Sequence, residues 1–174
     1  ERQQAFMARM GMLKPMSLEL PERGYPLVPS PWRPINTMTI SFGHGLSVSP
    51  MHLASGVATV VNGGIKRPTT LLKTTGRVLG EEVLKPATSK AMRQLMRLVV
   101  VDGTGRNADA KGYLVGGKTG TAEKVGGSRG YARKSLLSSF VAAFPVNDPK
   151  YVVLIMVDEP KGQKFSNGYA TGGW

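Results

Sequence analysis

The stretch "GYLVGGKTGT", Gly112 to Thr121, decides the fold, because it fits two motifs that need incompatible surroundings. Taken as Gly112-x-x-x-x-Gly117-Lys118-Thr119, it matches the phosphate-cradling P-loop letter for letter. Taken from Lys118 onward, it is a Lys-Thr-Gly triad whose charge and hydroxyls suit a carboxylate. A P-loop requires a hydrophobic strand before its first glycine and a helix that starts at the Lys-Thr pair. Here the preceding residues, Asn107-Ala108-Asp109-Ala110-Lys111, are too polar for a buried parallel strand. Tyr113, Leu114 and Val115 inside the supposed loop prefer strands, and Gly120, Gly126, Gly127 and Gly130 oppose a helix after it. The surroundings therefore disfavour the phosphate reading, and a P-loop nucleotide binder stands as the third reading. A strand over Tyr113 to Val115 and Lys118 to Glu123 is expected instead, with glycines where another backbone approaches closely. A peptide laid along the edge of that strand would be held by main-chain hydrogen bonds. Lys118, Thr119 and Thr121 would then receive its terminal carboxylate.

The surroundings agree with a strand. Downstream, "SSFVAAFPV" and "YVVLIMVDE" read as two further strands, joined by the turn residues Asn147, Asp148 and Pro149. Between them and the motif, the basic, glycine-rich stretch Lys124 to Lys134 is expected as a mobile loop that shapes the entrance to the cleft. Upstream lie helices. "ERQQAFMARMGML" is amphipathic and fades near Gly11, and "PERGYPLVPSPWRP" is an extended connection pinned by Leu27, Val28 and Trp32. In "SPMHLASGVATVVNGG", Ser49 suits a cap, Pro50 the first helical position and Gly63 the stop. His52, Ser55, Thr59 and Asn62 would form one narrow wet stripe on an otherwise buried helix. Residues 65–85 look extended, with a turn near Gly80. A second helix is expected from Ser89 to Val101, burying Met92, Leu95, Met96 and Val99. Helices followed by antiparallel strands make an α+β domain rather than a series of βαβ units.

Composition sets outer limits. The chain has 174 residues, of which 41% are hydrophobic, enough to bury a core. A net charge of +12 favours anionic partners. The absence of cysteine excludes disulfides, zinc-thiolate sites and cysteine nucleophiles. No cluster has metal-ligand spacing, so neither a metal nor a cofactor is expected.

Several quoted runs carry a resemblance. "SFGHGLSVSPMHLASGVATVVNGG" from Ser41, "RPTTLLK" from Arg67 and "VVVDGTGRNADAKGYLVGGKTGTAEK" from Val99 resemble class B penicillin-binding proteins, the peptidoglycan transpeptidases. So do "SFVAAFPVNDPKYVVLIMVDEPKG" and "GYATGGW", and the likeness is strongest to the septal cell-division type. The resemblance implies a penicillin-binding/serine β-lactamase-like fold, an antiparallel sheet packed with helices. It implies peptidoglycan stem peptides and β-lactam antibiotics as ligands, and a divisome glycosyltransferase as partner. Location would be the bacterial inner membrane, with the catalytic domain in the periplasm and membrane contact only through an N-terminal anchor outside these residues. By the same resemblance Lys118 joins the proton and charge network around a serine nucleophile. Thr119 and Thr121 bind the substrate carboxylate, Gly120 leaves room for the acyl group, and the Thr121 N–H lines the oxyanion hole.

The family's Ser-x-x-Lys and Ser-x-Asn motifs are both absent from the 174 residues. The expectation is therefore residues 1–174 as a C-terminal portion of a transpeptidase domain. It would lack the nucleophile-bearing part and the final helix, and be inactive alone. The alternative is a non-catalytic module that recognises peptides or β-lactams. His44 in "SFGHG" is expected to pack, and His52 to hydrogen-bond. Glu81 and Glu82 are adjacent and make a poor acid/base pair. Asp158 and Glu159 are expected to be solvated at a strand end. The basic loop offers only Tyr131 for stacking, so no nucleic-acid partner is expected.

Overall fold

The computed structural model describes residues 2–76, 78–125 and 131–160, with side chains up to Ala122 in one strand and from Leu136 in the next. The chain forms two bodies, residues 1–89 and 90–174.

In the first body, α1 (Arg2–Arg9) stops at Gly11, whose φ of +80° only glycine adopts readily. The proline-rich connection is held at Trp32 by its side chain, whose Nε1 donates to Thr37 Oγ1 at 2.9 Å, and at Leu27 by backbone. Leu27 and Ser47 exchange N–H···O bonds of 2.9 and 3.1 Å, while the Leu27 side chain is 71% exposed. The connection leads into α2 (Pro34–Ser41), a helix the sequence reading leaves out. Its start is nonetheless built by familiar means: Pro34 opens the first turn and Asn36 Oδ1 accepts from the Arg33 N–H at 2.8 Å.

α3 (Pro50–Val61) begins as expected, with Ser49 capping the His52 N–H. Two of its four stripe residues, His52 and Thr59, face inward, which corrects the expectation of a wet face, while Ser55 is half-buried and Asn62 exposed. His52 is 3% exposed and Thr59 2%. His52 and Thr59 can be buried because their side-chain polar atoms are satisfied. His52 Nε2 lies 2.9 Å from the Lys14 carbonyl and Nδ1 lies 2.7 Å from Ser49 Oγ, while Thr59 Oγ1 donates to the Ser55 carbonyl at 2.9 Å. A carbonyl only accepts, so the proton sits on Nε2, and Nδ1 accepts from the Ser49 hydroxyl. The short antiparallel pair β1 (Ile65–Lys66) and β2 (Glu81–Glu82) closes the excursion through Gly80.

α4 (Pro86–Asp102) starts before the expected Ser89 and presents a different face. Ser89, Met96 and Val100 are buried; Met92 is 37% and Leu95 56% exposed. Ser89 Oγ accepts from the Gly63 N–H at 3.0 Å, so a residue read as a helix start is an inside residue, and the buried stripe rotates toward it.

The second body holds an antiparallel sheet in the order β3 (Gly116–Val125), β4 (Tyr131–Phe144), β5 (Tyr151–Asp158). β3 begins at the glycines rather than at Tyr113, which is exposed and stacks edge-on against Phe144. β3 and β4 extend through much of the basic stretch expected as a loop, Val125 pairing with Tyr131, while residues 126–130 lie outside the described residues, as does "GYATGGW". The turn at Asn147 to Pro149 falls where expected. Val100, Val115 and Ala142 form the buried centre, with Phe140 and Phe144 packed on it.

Candidate functional site

All four residues singled out in the sequence, Lys118, Thr119, Gly120 and Thr121, lie consecutively on β3, opposite Val141, Phe140, Ser139 and Ser138 of β4. Strand alternation puts Thr119 and Thr121 on one face and Lys118 and Gly120 on the other. Among the described residues β3 pairs only with β4 and is an edge of its sheet. Its far side is where an extended peptide could add main-chain hydrogen bonds.

The strand is set in place from α4. Arg97 Nη1 donates to the Val115 carbonyl at 2.8 Å and pairs with Asp109 Oδ1 at 2.9 Å, which fixes the chain as it enters β3. Lys118 is exposed, and its Nζ donates to the Thr119 carbonyl at 2.8 Å. The Thr119 hydroxyl lies 2.8 Å from that of Thr104, in the glycine-rich turn after α4. Thr121 Oγ1 is buried without a hydrogen-bond partner among the described residues, and so is Ser138 Oγ directly across the pair. A buried hydroxyl left unpaired costs about 1–3 kcal/mol, and here two stand in register. On the Thr119 face an apolar groove of about 300 Å³ is bounded by Thr104, Ser138, Phe140, Ile155 and Val157.

The missing side chain at Gly120 also leaves room for a neighbour on β4. A Cβ there would come within 2.6 Å of Ser139 Oγ, which donates to the Gly120 carbonyl at 3.3 Å. Thr104, Ser138 and Arg97 were not singled out in the sequence. Thr104 stands among glycines in "DGTGRN", and only the return of α4 alongside β3 brings its hydroxyl to Thr119.

The other candidates fall away from this strand. His44 packs with its ring centroid 5.5 Å from Phe42, and His52 serves as an interior hydrogen-bonding residue. Glu81 and Glu82 are exposed on β2. Among the described residues no group of three His, Cys, Asp or Glu side chains could hold a metal ion. β3 thus carries a lysine and two threonines on an edge strand, with the Thr121 hydroxyl lacking a partner among the described residues.

Known proteins resemble this chain in sequence and in fold. The chain is 41% identical to the probable peptidoglycan D,D-transpeptidase FtsI of Caulobacter vibrioides, over 100% of its own length and 31% of that protein. It is 33% identical to the peptidoglycan D,D-transpeptidase FtsI of Escherichia coli, over 92% of its own length and 28% of that protein. The TP domain of Burkholderia pseudomallei penicillin-binding protein 3 superposes with a TM-score of 0.83 at 36% identity, across 90% of this chain and 49% of that one. Penicillin-binding protein 3 of Mycobacterium tuberculosis, solved with ampicillin, gives a TM-score of 0.84 at 25% identity, across 91% of this chain and 40% of that one. The chain thus spans about half of the Burkholderia domain and about a third of the Caulobacter protein. The Penicillin binding protein transpeptidase domain model matches residues 1–172, and the chain belongs to that family.

Proposed function

We propose that this chain is the C-terminal portion of the transpeptidase domain of a peptidoglycan D,D-transpeptidase. The parent protein would cross-link stem peptides by serine acyl transfer in septal wall synthesis. The observation that carries this reading is the β3 edge, which bears exposed Lys118 on one face and, on the other, a buried Thr121 hydroxyl without a partner among the described residues. In this role Thr119 and Thr121 hold the terminal carboxylate of a D-alanyl-D-alanine stem. The Thr121 N–H donates to the oxyanion that forms as the serine oxygen attacks the penultimate carbonyl; removing one such donor costs about 3–4 kcal/mol of barrier. Lys118 supplies positive charge to the same site and takes part in moving the serine proton. Gly120 leaves room for the acyl group.

The nucleophile belongs to a part of the parent protein outside these residues, since the chain contains neither Ser-x-x-Lys nor Ser-x-Asn. The chain alone is inactive. The parent faces the periplasm from an inner-membrane anchor that also lies outside; no helix among the described residues is long and apolar enough to cross a membrane. β-Lactams are expected ligands, in keeping with the ampicillin and aztreonam complexes of the Mycobacterium relative. A divisome glycosyltransferase is the expected partner.

Intact-mass spectrometry of the parent protein after incubation with penicillin tests the proposal. One covalent adduct, mapped to a serine outside the 174 residues, is expected. A folded parent that takes up no penicillin contradicts it and points to a non-catalytic recognition module.

A further inference from the structure

The first body contains a second concavity, unrelated to the strand edge. Its volume is about 890 Å³, within the upper range of ligand pockets, and Lys14, Lys66 and Arg67 line it. None of these three cationic groups makes an ion pair or a side-chain hydrogen bond among the described residues. Glu81 is the one acid among the lining residues and stands across the β1–β2 ladder from Lys66, yet the two do not bridge.

The walls are tied on both sides. His52, buried beneath the concavity, hydrogen-bonds the Lys14 carbonyl and so fixes that segment to α3. Glu19 accepts from the Thr70 hydroxyl and, at 2.9 Å, from the Leu71 N–H, which fixes the segment following Arg67 to the one following Lys14. Lys66 is aimed across the space rather than outward. Its Nζ lies over Gly11, where a Cβ would come within 3.1 Å of it, and the positive φ there keeps the position free of a side chain. Ser17, Ser55 and Thr69 add hydroxyls; Thr69 Oγ1 donates to Ser55 Oγ at 3.4 Å.

Three unpaired cations on a tethered frame, with hydroxyl donors between them, match a ligand that carries several anionic oxygens. We propose that this concavity binds a polyvalent anion bearing phosphate or carboxylate groups, either a soluble molecule or the headgroup of an anionic lipid. The proposal does not depend on the transpeptidase reading.

Calorimetric titration of the parent protein with tripolyphosphate tests it. Saturable binding is expected, weakened roughly tenfold by Lys66→Gln and by Arg67→Gln, as for loss of one charge-assisted hydrogen bond. Lys85→Gln and Lys111→Gln, which remove the same charge from exposed sites outside the concavity, should change affinity less than about twofold if the site is local. Absence of saturable binding, or equal weakening by all four substitutions, overturns the proposal. Phosphatidylglycerol vesicles separate the two sources. Vesicle binding that tripolyphosphate displaces and Lys66→Gln abolishes identifies a headgroup, and tripolyphosphate binding without vesicle binding identifies a soluble anion. Vesicle binding indifferent to Lys66→Gln contradicts the site.

Discussion

Thr104 and Thr119 share a hydrogen bond: their hydroxyl oxygens lie 2.8 Å apart, one in the turn that follows α4 and the other on the edge strand β3. The bond orients the Thr119 hydroxyl, so under the proposed function it would be set for a carboxylate before a ligand arrives. Preorganisation of this kind lowers the cost of binding.

Thr104→Val removes that partner and little else. Because the pair is exposed to solvent, stability should fall by less than about 1 kcal/mol. Penicillin acylation of the parent should slow roughly fivefold, the equivalent of about 1 kcal/mol. Stopped-flow acylation rates and thermal melts of the same samples separate the two effects.

Thr121→Val tests the unpaired hydroxyl. Replacing a buried, partnerless oxygen by a methyl group should leave stability unchanged or raise it by up to about 1 kcal/mol. A melt lowered by more than that amount would show that the hydroxyl has a partner in the protein.

Gly120→Ala brings a methyl group against Ser139 Oγ, at 2.6 Å before any adjustment. Overpacking of this kind costs about 1–3 kcal/mol. Adding Ser139→Ala should recover part of it, so a double-mutant cycle should give a coupling of about 1 kcal/mol. Additive effects would mean that the methyl group is accommodated without moving Ser139.

The fate of the sequence reading follows from what fixes each element. β5 and the C-terminal part of β4 were legible because their apolar runs are long and the turn at Asn147 to Pro149 is written in local chemistry. The cap of α3 was legible for the same reason, since Ser49 and Pro50 act within one turn. The inward face of α3 was not. His52 and Thr59 are polar by type, and only distant partners such as the Lys14 carbonyl make their burial possible. α4 failed similarly, because Ser89 becomes an inside residue through a bond to Gly63. α2 was hidden by the surrounding prolines and by its β-branched residues Ile35, Thr37, Thr39 and Ile40, which weaken a helix signal. At the site, the order Lys118 to Thr121 was readable, whereas Thr104 and Ser138 arrive there only through topology.

Glu19 gives a pH-dependent contribution of definite sign. The Thr70 hydroxyl, and after it the Leu71 N–H, hold its carboxyl below the ordinary value of 4.5. A carboxyl whose folded pKa is depressed adds stability above its unfolded pKa and loses it as pH falls through the folded value. The tie between Glu19 and Thr70 should thus be intact at neutral pH and weaken below about pH 4.5. Hydrogen exchange at the Leu71 amide should quicken in Glu19→Gln at pH 7, and the difference from the unaltered protein should shrink as the pH drops below that range. A difference that grows toward acid pH would reverse the sign and refute the assignment.

The most direct test of the β3 site is the single-turnover rate of penicillin acylation of the parent protein, followed by intact mass, with and without Lys118→Ala. If Lys118 serves the serine's proton and charge network, the substitution should slow acylation by at least about a hundredfold while the protein stays folded. A rate unchanged by Lys118→Ala would remove Lys118 from the catalytic site and, with it, the reading of β3 as the strand that receives the substrate.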